Sequence, residues 1–141
     1  MLIKQLIIGS SMVLVTASLH VVALFFLAVR SRRMLIDSTW SENYLKRLVI
    51  LSLLVLAVVA IHSVGVWLWA FFYLAIGEFS EFGRALYFSA TTITTLGYGD
   101  ITLSPDWQLT STFEALSGLI LIGVSTAFMF EMMRHVLDDA T

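Results

Sequence analysis

The sequence contains no cysteine, so neither a disulfide framework nor a thiolate metal centre can be built from it. It has a single proline and no low-complexity tract, which leaves nothing to read as a linker or a disordered arm. Charge is scarce too. Asp, Glu, Lys and Arg make up 13% of the 141 residues, and a formal net charge of −2 is too weak to draw a nucleic-acid partner. No segment carries arginines at every third position, which excludes a voltage sensor of the usual kind. No activated nucleophile, catalytic dyad or metal cluster stands out, so nothing argues for an enzyme or a resident cofactor. There is also no internal repeat.

What the chain has in abundance is apolar surface. Hydrophobic residues make up 59% of it, and the mean hydropathy is +0.92. A soluble domain of this size buries only part of its apolar surface, so a bilayer is the better solvent. Three apolar spans stand out, at residues 5–29, 48–76 and 109–133. Each exceeds the ~20 residues that a helix needs to cross the hydrocarbon core. The second closes on Trp67, Trp69, Phe71, Phe72 and Tyr73, an aromatic belt suited to an interface. The first is read as a retained helix and not a cleaved signal peptide, because apolar residues continue to Val29, past the small residues near Thr16 and Ser18.

The basic residues set an orientation. Arg30, Arg32, Arg33, Lys46 and Arg47 crowd the loop between the first two spans, against Asp37 and Glu42, whereas Lys4 alone marks the N-terminus. The positive-inside rule puts that loop in the cytoplasm and the N-terminus outside a cell membrane crossed several times. Arg134 then falls on the cytoplasmic side with the C-terminus. Residues 77–108 fall outside, with Glu78, Glu81, Asp100 and Asp106 against Arg84.

Between the second and third spans lies EFSEFGRALYFSATTITTLGYGD. Residues 82–94 read as a helix too short to cross, with Ser80 as its N-cap and Glu81 favourably placed against the helix dipole. A segment of this length between two spans is a re-entrant candidate. In the TLGYG that follows, two glycines permit backbone conformations that a Cβ resists. Non-helical backbone at membrane depth survives only when buried in protein or lining a watery path. Carbonyls without amide partners there can take a cation.

ALYFSATTITTLGYGD followed by ITLSPDW resembles the pore segment and selectivity filter of potassium channels, and the flanking spans resemble that family's outer and inner helices. The resemblance implies an all-α membrane protein: three transmembrane helices plus a re-entrant pore helix and filter loop, assembled as a fourfold homotetramer. Residues 1–46 would be an extra transmembrane helix with its basic loop. Residues 47–141 would be the pore domain, with an outer helix at 48–76, pore helix at 82–94, filter at 95–99 and inner helix at 109–133.

Carried over by position, the filter is Thr95, Leu96, Gly97, Tyr98 and Gly99. Carbonyls of Thr95, Leu96, Gly97 and Tyr98 would coordinate potassium, with the Thr95 hydroxyls as the innermost ring. Leu96 and Tyr98 would turn away from the ion and brace the filter against the pore helix. Asp100, Tyr87, Thr91 and Thr94 would support it, with the Tyr87 hydroxyl in reach of Asp100. Thr91 stands where some members carry a glutamate, and Tyr87 and Phe88 where tryptophans are common. Phe88 brings no donor, so thin hydrogen-bond support and a tendency to inactivate are expected.

In the third span, Gly118 and Gly123 are hinge candidates, with Gly123 favoured, although small residues also serve close helix packing. Val124, Ala127 and Phe128 would line or flank the pore. Glu131 would either complete a carboxylate ring at the pore mouth or pair with Arg134. Glu114 is read as interfacial. His20 and His62 are read as neutral and hydrogen-bonded to other helices, and Met129, Met132 and Met133 as packing. Seven residues follow Arg134, so no cytoplasmic ligand-binding domain is expected. An opening stimulus would then act on the membrane helices, the 30–47 loop or an unidentified regulatory partner. The resulting expectation is passive potassium conduction through the lipid bilayer. The alternatives are a subunit of a potassium uptake system and a nonconducting regulatory membrane module.

Overall fold

A computed structural model of the chain describes residues 2–36 and 44–138. Four helices follow one another: α1 (Leu2–Ile36), α2 (Tyr44–Ala75), α3 (Phe82–Ile93) and α4 (Gln108–Asp138). No strand forms among the described residues. Three stretches are long and apolar enough to cross a membrane, Leu2–Arg33, Tyr44–Ala75 and Gln108–Val136, and the chain is a multi-pass membrane protein.

The helices outrun the spans read from hydropathy. Arg30, Arg32 and Arg33 lie on the last turns of α1, and Lys46 and Arg47 on the first turn of α2, instead of in a loop. Straight-chain residues lose little rotamer freedom in a helix and can carry their charges out past the apolar boundary, so the helix continues where hydropathy stops. Asp37 and Glu42, which enter the charge balance of that loop, lie outside the described residues.

Inside an apolar bundle each hydroxyl needs a partner. Most find one on their own helix, as Ser11 with the Ile7 carbonyl at 2.8 Å, Ser63 with Val59 at 2.9 Å and Thr126 with Ile122 at 2.8 Å. The side chains that reach across helices are therefore the informative ones, and they fix the topology. Gln5 Oε1 accepts from the Leu109 amide at 2.9 Å, and Ser31 Oγ meets Met132 Sδ at 3.3 Å, so α1 and α4 run parallel. Arg47 donates to the Val136 carbonyl at 2.7 Å and Tyr73 to Glu114 at 2.7 Å, so α2 runs antiparallel to both. Lys4 Nζ sits 4.4 Å from the Trp107 ring centroid, at the same end as residues 77–107.

With 12 residues, α3 is only about 18 Å long, too short to cross. It wedges between α2 and α4 and buries Ala85, Phe88, Ser89 and Ile93. Around it gathers the larger core, formed by Trp69, Tyr73, Phe88, Ile93, Leu103 and Trp107. A smaller cluster of Ile50, Leu54 and Met132 closes the other end. At Gly118 the backbone of α4 approaches α3 so closely that a Cβ would collide with the Ile93 carbonyl oxygen. This close approach requires a residue without a side chain at 118. The N-cap of α3 is Glu81, in extended conformation with no side-chain cap bond, and not Ser80. Its carboxylate still suits the positive end of the helix dipole, but the first turn has no hydroxyl cap.

Candidate functional site

Loop 95–99 leaves the C-terminus of α3 through two backbone bonds. The Thr95 amide donates to the Thr92 carbonyl and the Gly97 amide to the Thr91 carbonyl, both at 2.9 Å. Between and beyond these bonds the backbone alternates in hand. Thr95 has φ 60°, Gly97 51° and Gly99 76°, and Thr95 is the one non-glycine with positive φ among the described residues. For a Cβ-bearing, β-branched residue that conformation is strained, and the glycines adopt it freely. Reversal of hand at alternate residues turns successive peptide planes, which otherwise point opposite ways along an extended chain, toward one side.

The side chains around the loop hold it from one flank. Tyr87, on α3, donates its hydroxyl to Asp100 Oδ2 at 2.8 Å, and Asp100 Oδ1 accepts from the Ile101 amide at 3.1 Å. The bond to Asp100 holds the Tyr87 hydroxyl above the ordinary tyrosine range. Further along, Ser104 donates its amide and hydroxyl to Glu78 at 2.7 and 2.6 Å, which ties the descending chain to the end of α2. Nothing in the sequence flagged that pair beyond the charge of Glu78.

The threonines turn inward on α3 itself. Thr94 Oγ1 donates to the Ala90 carbonyl at 2.6 Å and Thr91 Oγ1 to the Phe88 carbonyl at 3.0 Å, so the Thr91 hydroxyl is spent on its own helix. Leu96 and Tyr98 do not brace α3 of the same chain. They are 55% and 67% exposed. Beside them runs an open groove of about 310 Å³, bordered by Thr92, Thr95, Gly97, Thr112 and Ala115. Phe88 has no donor, but it packs edge-on to Tyr73 at 5.1 Å and against Phe79 at 5.4 Å, so aromatic contact replaces a hydrogen bond.

Glu114 is the largest departure from the sequence reading. It is fully buried, 0% exposed, and not interfacial. Tyr73 donates to its Oε2 at 2.7 Å. Ser89 Oγ lies 2.5 Å from its Oε1 and 2.9 Å from the Val66 carbonyl oxygen. One carboxyl group thus joins α2, α3 and α4. Its one sequence signal is an acid two helical turns into an apolar span, the kind of residue that usually marks function.

The two histidines meet. His20 Nε2 and His62 Nε2 stand 2.8 and 3.0 Å from Ser125 Oγ, and their rings cross at 4.6 Å. Each is hydrogen-bonded to another helix, but neither is solitary. Hydropathy gives no rotational setting for helices that are apolar all round, so this meeting was not legible in the sequence.

Along α4, Val124 is exposed, and no neighbour stands within 4 Å of a Cβ at Gly123. Ala127 is exposed as well, whereas Phe128 packs against Ile50, Leu54 and Met132 and is drawn into the bundle. Glu131 pairs with Arg134 at 3.2 Å and His135 at 3.0 Å. The pairing half of the two readings of Glu131 is therefore formed. Among the described residues no group of His, Asp or Glu side chains could hold a metal ion. An ion at this site would rest on backbone carbonyls and hydroxyls.

These features define a helical membrane protein in which a short helix re-enters the bundle and delivers an irregular, glycine-containing loop to its end. A protein-family model described as an ion channel matches residues 48–135, well over half of the chain, and the chain belongs to that family. No curated protein and no solved structure matches it. The matched region takes in nearly all of α2 and of α4, with α3 and loop 95–99 between them, and leaves α1 outside.

Proposed function

We propose that four copies of the chain assemble around a fourfold axis into a potassium-selective channel. Carbonyls of Thr95, Leu96, Gly97 and Tyr98, with the Thr95 hydroxyls, replace the water around a dehydrated potassium ion. The observation that carries this reading is the alternating positive φ at Thr95, Gly97 and Gly99. It supports a row of carbonyls facing one way, and one chain cannot surround an ion with them. Exposure of Leu96 and Tyr98 beside an open groove supports a neighbouring copy as what covers them. In that assembly Val124 and Ala127 face the conduction path, and α4 bends at Gly123. The basic ends of α1 and α2 lie in the cytoplasm, and loop 95–99 faces outward.

The test is rubidium uptake into liposomes that contain the purified chain and a potassium gradient. Uptake that barium blocks and excess sodium leaves unchanged is the expected outcome. A tetrameric chain that passes rubidium and sodium equally overturns potassium selectivity. A tetrameric chain that passes neither ion overturns conduction.

A further inference from the structure

Glu114 presents a hydrogen count that does not close if it is a carboxylate. Three contacts surround it: Tyr73 hydroxyl to Oε2 at 2.7 Å, Ser89 Oγ to Oε1 at 2.5 Å, and Ser89 Oγ to the Val66 carbonyl at 2.9 Å. Tyr73 and Ser89 bring one hydrogen each. The Tyr73 hydrogen satisfies the first contact, and the Ser89 hydrogen can satisfy only one of the other two. The Val66 carbonyl has no hydrogen to give, so the Ser89 hydrogen goes there. The hydrogen between Ser89 and Glu114 must then sit on Glu114 Oε1. The chain of donors runs from Glu114 to Ser89 to Val66, with Tyr73 donating to the other carboxyl oxygen.

The surroundings agree with that count. Glu114 has no exposed surface, and its oxygens meet hydroxyls, not a cation. A buried carboxylate that meets no cationic side chain among the described residues would be costly, whereas a fully bonded carboxylic acid is not. Its partners lie on the other two helices of this junction: Tyr73 is on α2, and Ser89 is on α3, the helix wedged between α2 and α4. One face of α3 bears Ser89, while Tyr87, two residues earlier, reaches Asp100 at the end of the loop.

We propose that Glu114 is a positioning residue of the ion pathway: as a neutral acid, it locks α3 between α2 and α4 and so sets the geometry of loop 95–99. The inference deepens the channel reading and rests on it for its functional consequence. The acid also links α4, the helix that must move for a pore to open, to the helix that carries the filter. Displacement of α4 at this level breaks the bond to Ser89 and reaches the loop through α3.

The experiment compares reconstituted wild-type chain with substitutions at the three positions. Glu114→Gln keeps an acceptor for Tyr73 and a donor for Ser89, as a neutral acid does, and retains rubidium uptake and preference over sodium within about twofold. Glu114→Met fills a similar volume but leaves the Tyr73 hydroxyl without its acceptor and Ser89 without its donor, and the preference for rubidium falls about tenfold. Should Glu114→Met fail to assemble, Ser89→Ala removes the relay with less disturbance and lowers the preference about threefold. A Glu114→Gln variant as impaired as Glu114→Met overturns the proposal, because a carboxylate accepting from both hydroxyls is what an amide would disrupt. A preference unchanged in Glu114→Met or Ser89→Ala overturns it equally.

One readout does not depend on conduction. The infrared spectrum of the wild-type chain should show a protonated carboxylic carbonyl band that Glu114→Gln removes. Absence of that band overturns the neutral acid. Its presence in a chain that carries no flux upholds the protonation and rejects the channel reading instead.

Discussion

The two ends of the bundle are built differently. Around loop 95–99, aromatic side chains interlock and polar groups close on one another inside the protein. Trp69, Tyr73, Phe88 and Trp107 are all buried, and Glu114, Ser89 and Tyr73 bond within that core. At the opposite end the core shrinks to Ile50, Leu54 and Met132, and the charged contacts of the last turns of α4 lie near the surface. Arg32 approaches His135 at 3.4 Å, and Glu131 pairs with Arg134 with side chains 39% and 57% exposed. Exposed pairs of this kind contribute about 0–1 kcal/mol each, far less than buried aromatic packing. The molecule is densely packed at the end that carries loop 95–99 and more loosely tied at the other. Gly123 and the His20–His62–Ser125 cluster lie between the two regimes.

The two glycines of α4 test that division with one substitution each. Gly118 belongs to the rigid end, since an added Cβ would strike the Ile93 carbonyl. Gly118→Ala should therefore force α3 and α4 apart and destabilise the chain by about 1–3 kcal/mol, seen as a lower thermal midpoint in detergent. Gly123 has nothing within 4 Å of the same position. Gly123→Ala should stabilise α4 by about 0.5–1 kcal/mol through backbone entropy and leave the fold intact. It should also reduce flux if α4 bends there. Equal effects at the two positions would mean that α4 has no tight and loose halves.

Next in size is the support at the surface of the rigid end. Tyr87 and Asp100 are both exposed, so their bond lacks the protection that Glu114 has. Tyr87→Phe should leave stability nearly unchanged but hasten the decay of rubidium flux after the gradient is applied. A steady flux would show that the Asp100 side is held without it. The same bond gives a pH dependence of fixed sign. The folded chain holds the Tyr87 proton more tightly than an unfolded one, because the hydroxyl donates to Asp100. The bond's contribution is thus complete below the ordinary tyrosine range and is lost as pH rises through the raised folded value. Flux decay should accelerate in wild type as pH climbs through that window, and Tyr87→Phe should show no such dependence.

How much of this was legible in the sequence follows the same division. The re-entrant helix, read at 82–94 and found at Phe82–Ile93 with Thr94 as its C-cap, was readable because polar punctuation and glycines stand on both sides of it. The reach of Tyr87 to Asp100 followed from an aligned motif. Hydropathy also located the three membrane-length helices, though it stopped short at their charged ends. It could not say which face of each turns inward, since α2 is apolar nearly all round, and on α4 the polar residues that prove buried, Thr110, Glu114, Ser117 and Ser125, are mixed with Ser111, Thr112 and Thr126 on other faces. Hence Glu114 was assigned to an interface, while the shared contact of His20 and His62 with Ser125 went unseen. Each turns on the rotation of a helix about its axis. Burial of a polar group is a property of two or three helices together, and spacing along one of them does not encode it.

The smallest effect is expected at Glu131, and it decides what the loose end is for. In the single chain Glu131 already has two partners, Arg134 at 3.2 Å and His135 at 3.0 Å, within one turn of the same helix. Such i,i+3 and i,i+4 pairs contribute about 0.2–0.5 kcal/mol and weaken with salt. Glu131→Gln should therefore shift the thermal midpoint barely beyond error, and less still at high salt. A carboxylate engaged by a neighbouring arginine presents little net charge to a passing cation, so rubidium flux should also be nearly unchanged. If flux instead drops sharply at low salt and recovers at high salt, four such carboxylates act together on cations at the pore mouth. The paired geometry would then belong to the closed arrangement of α4, and the loose end would be a gate as well as a tether.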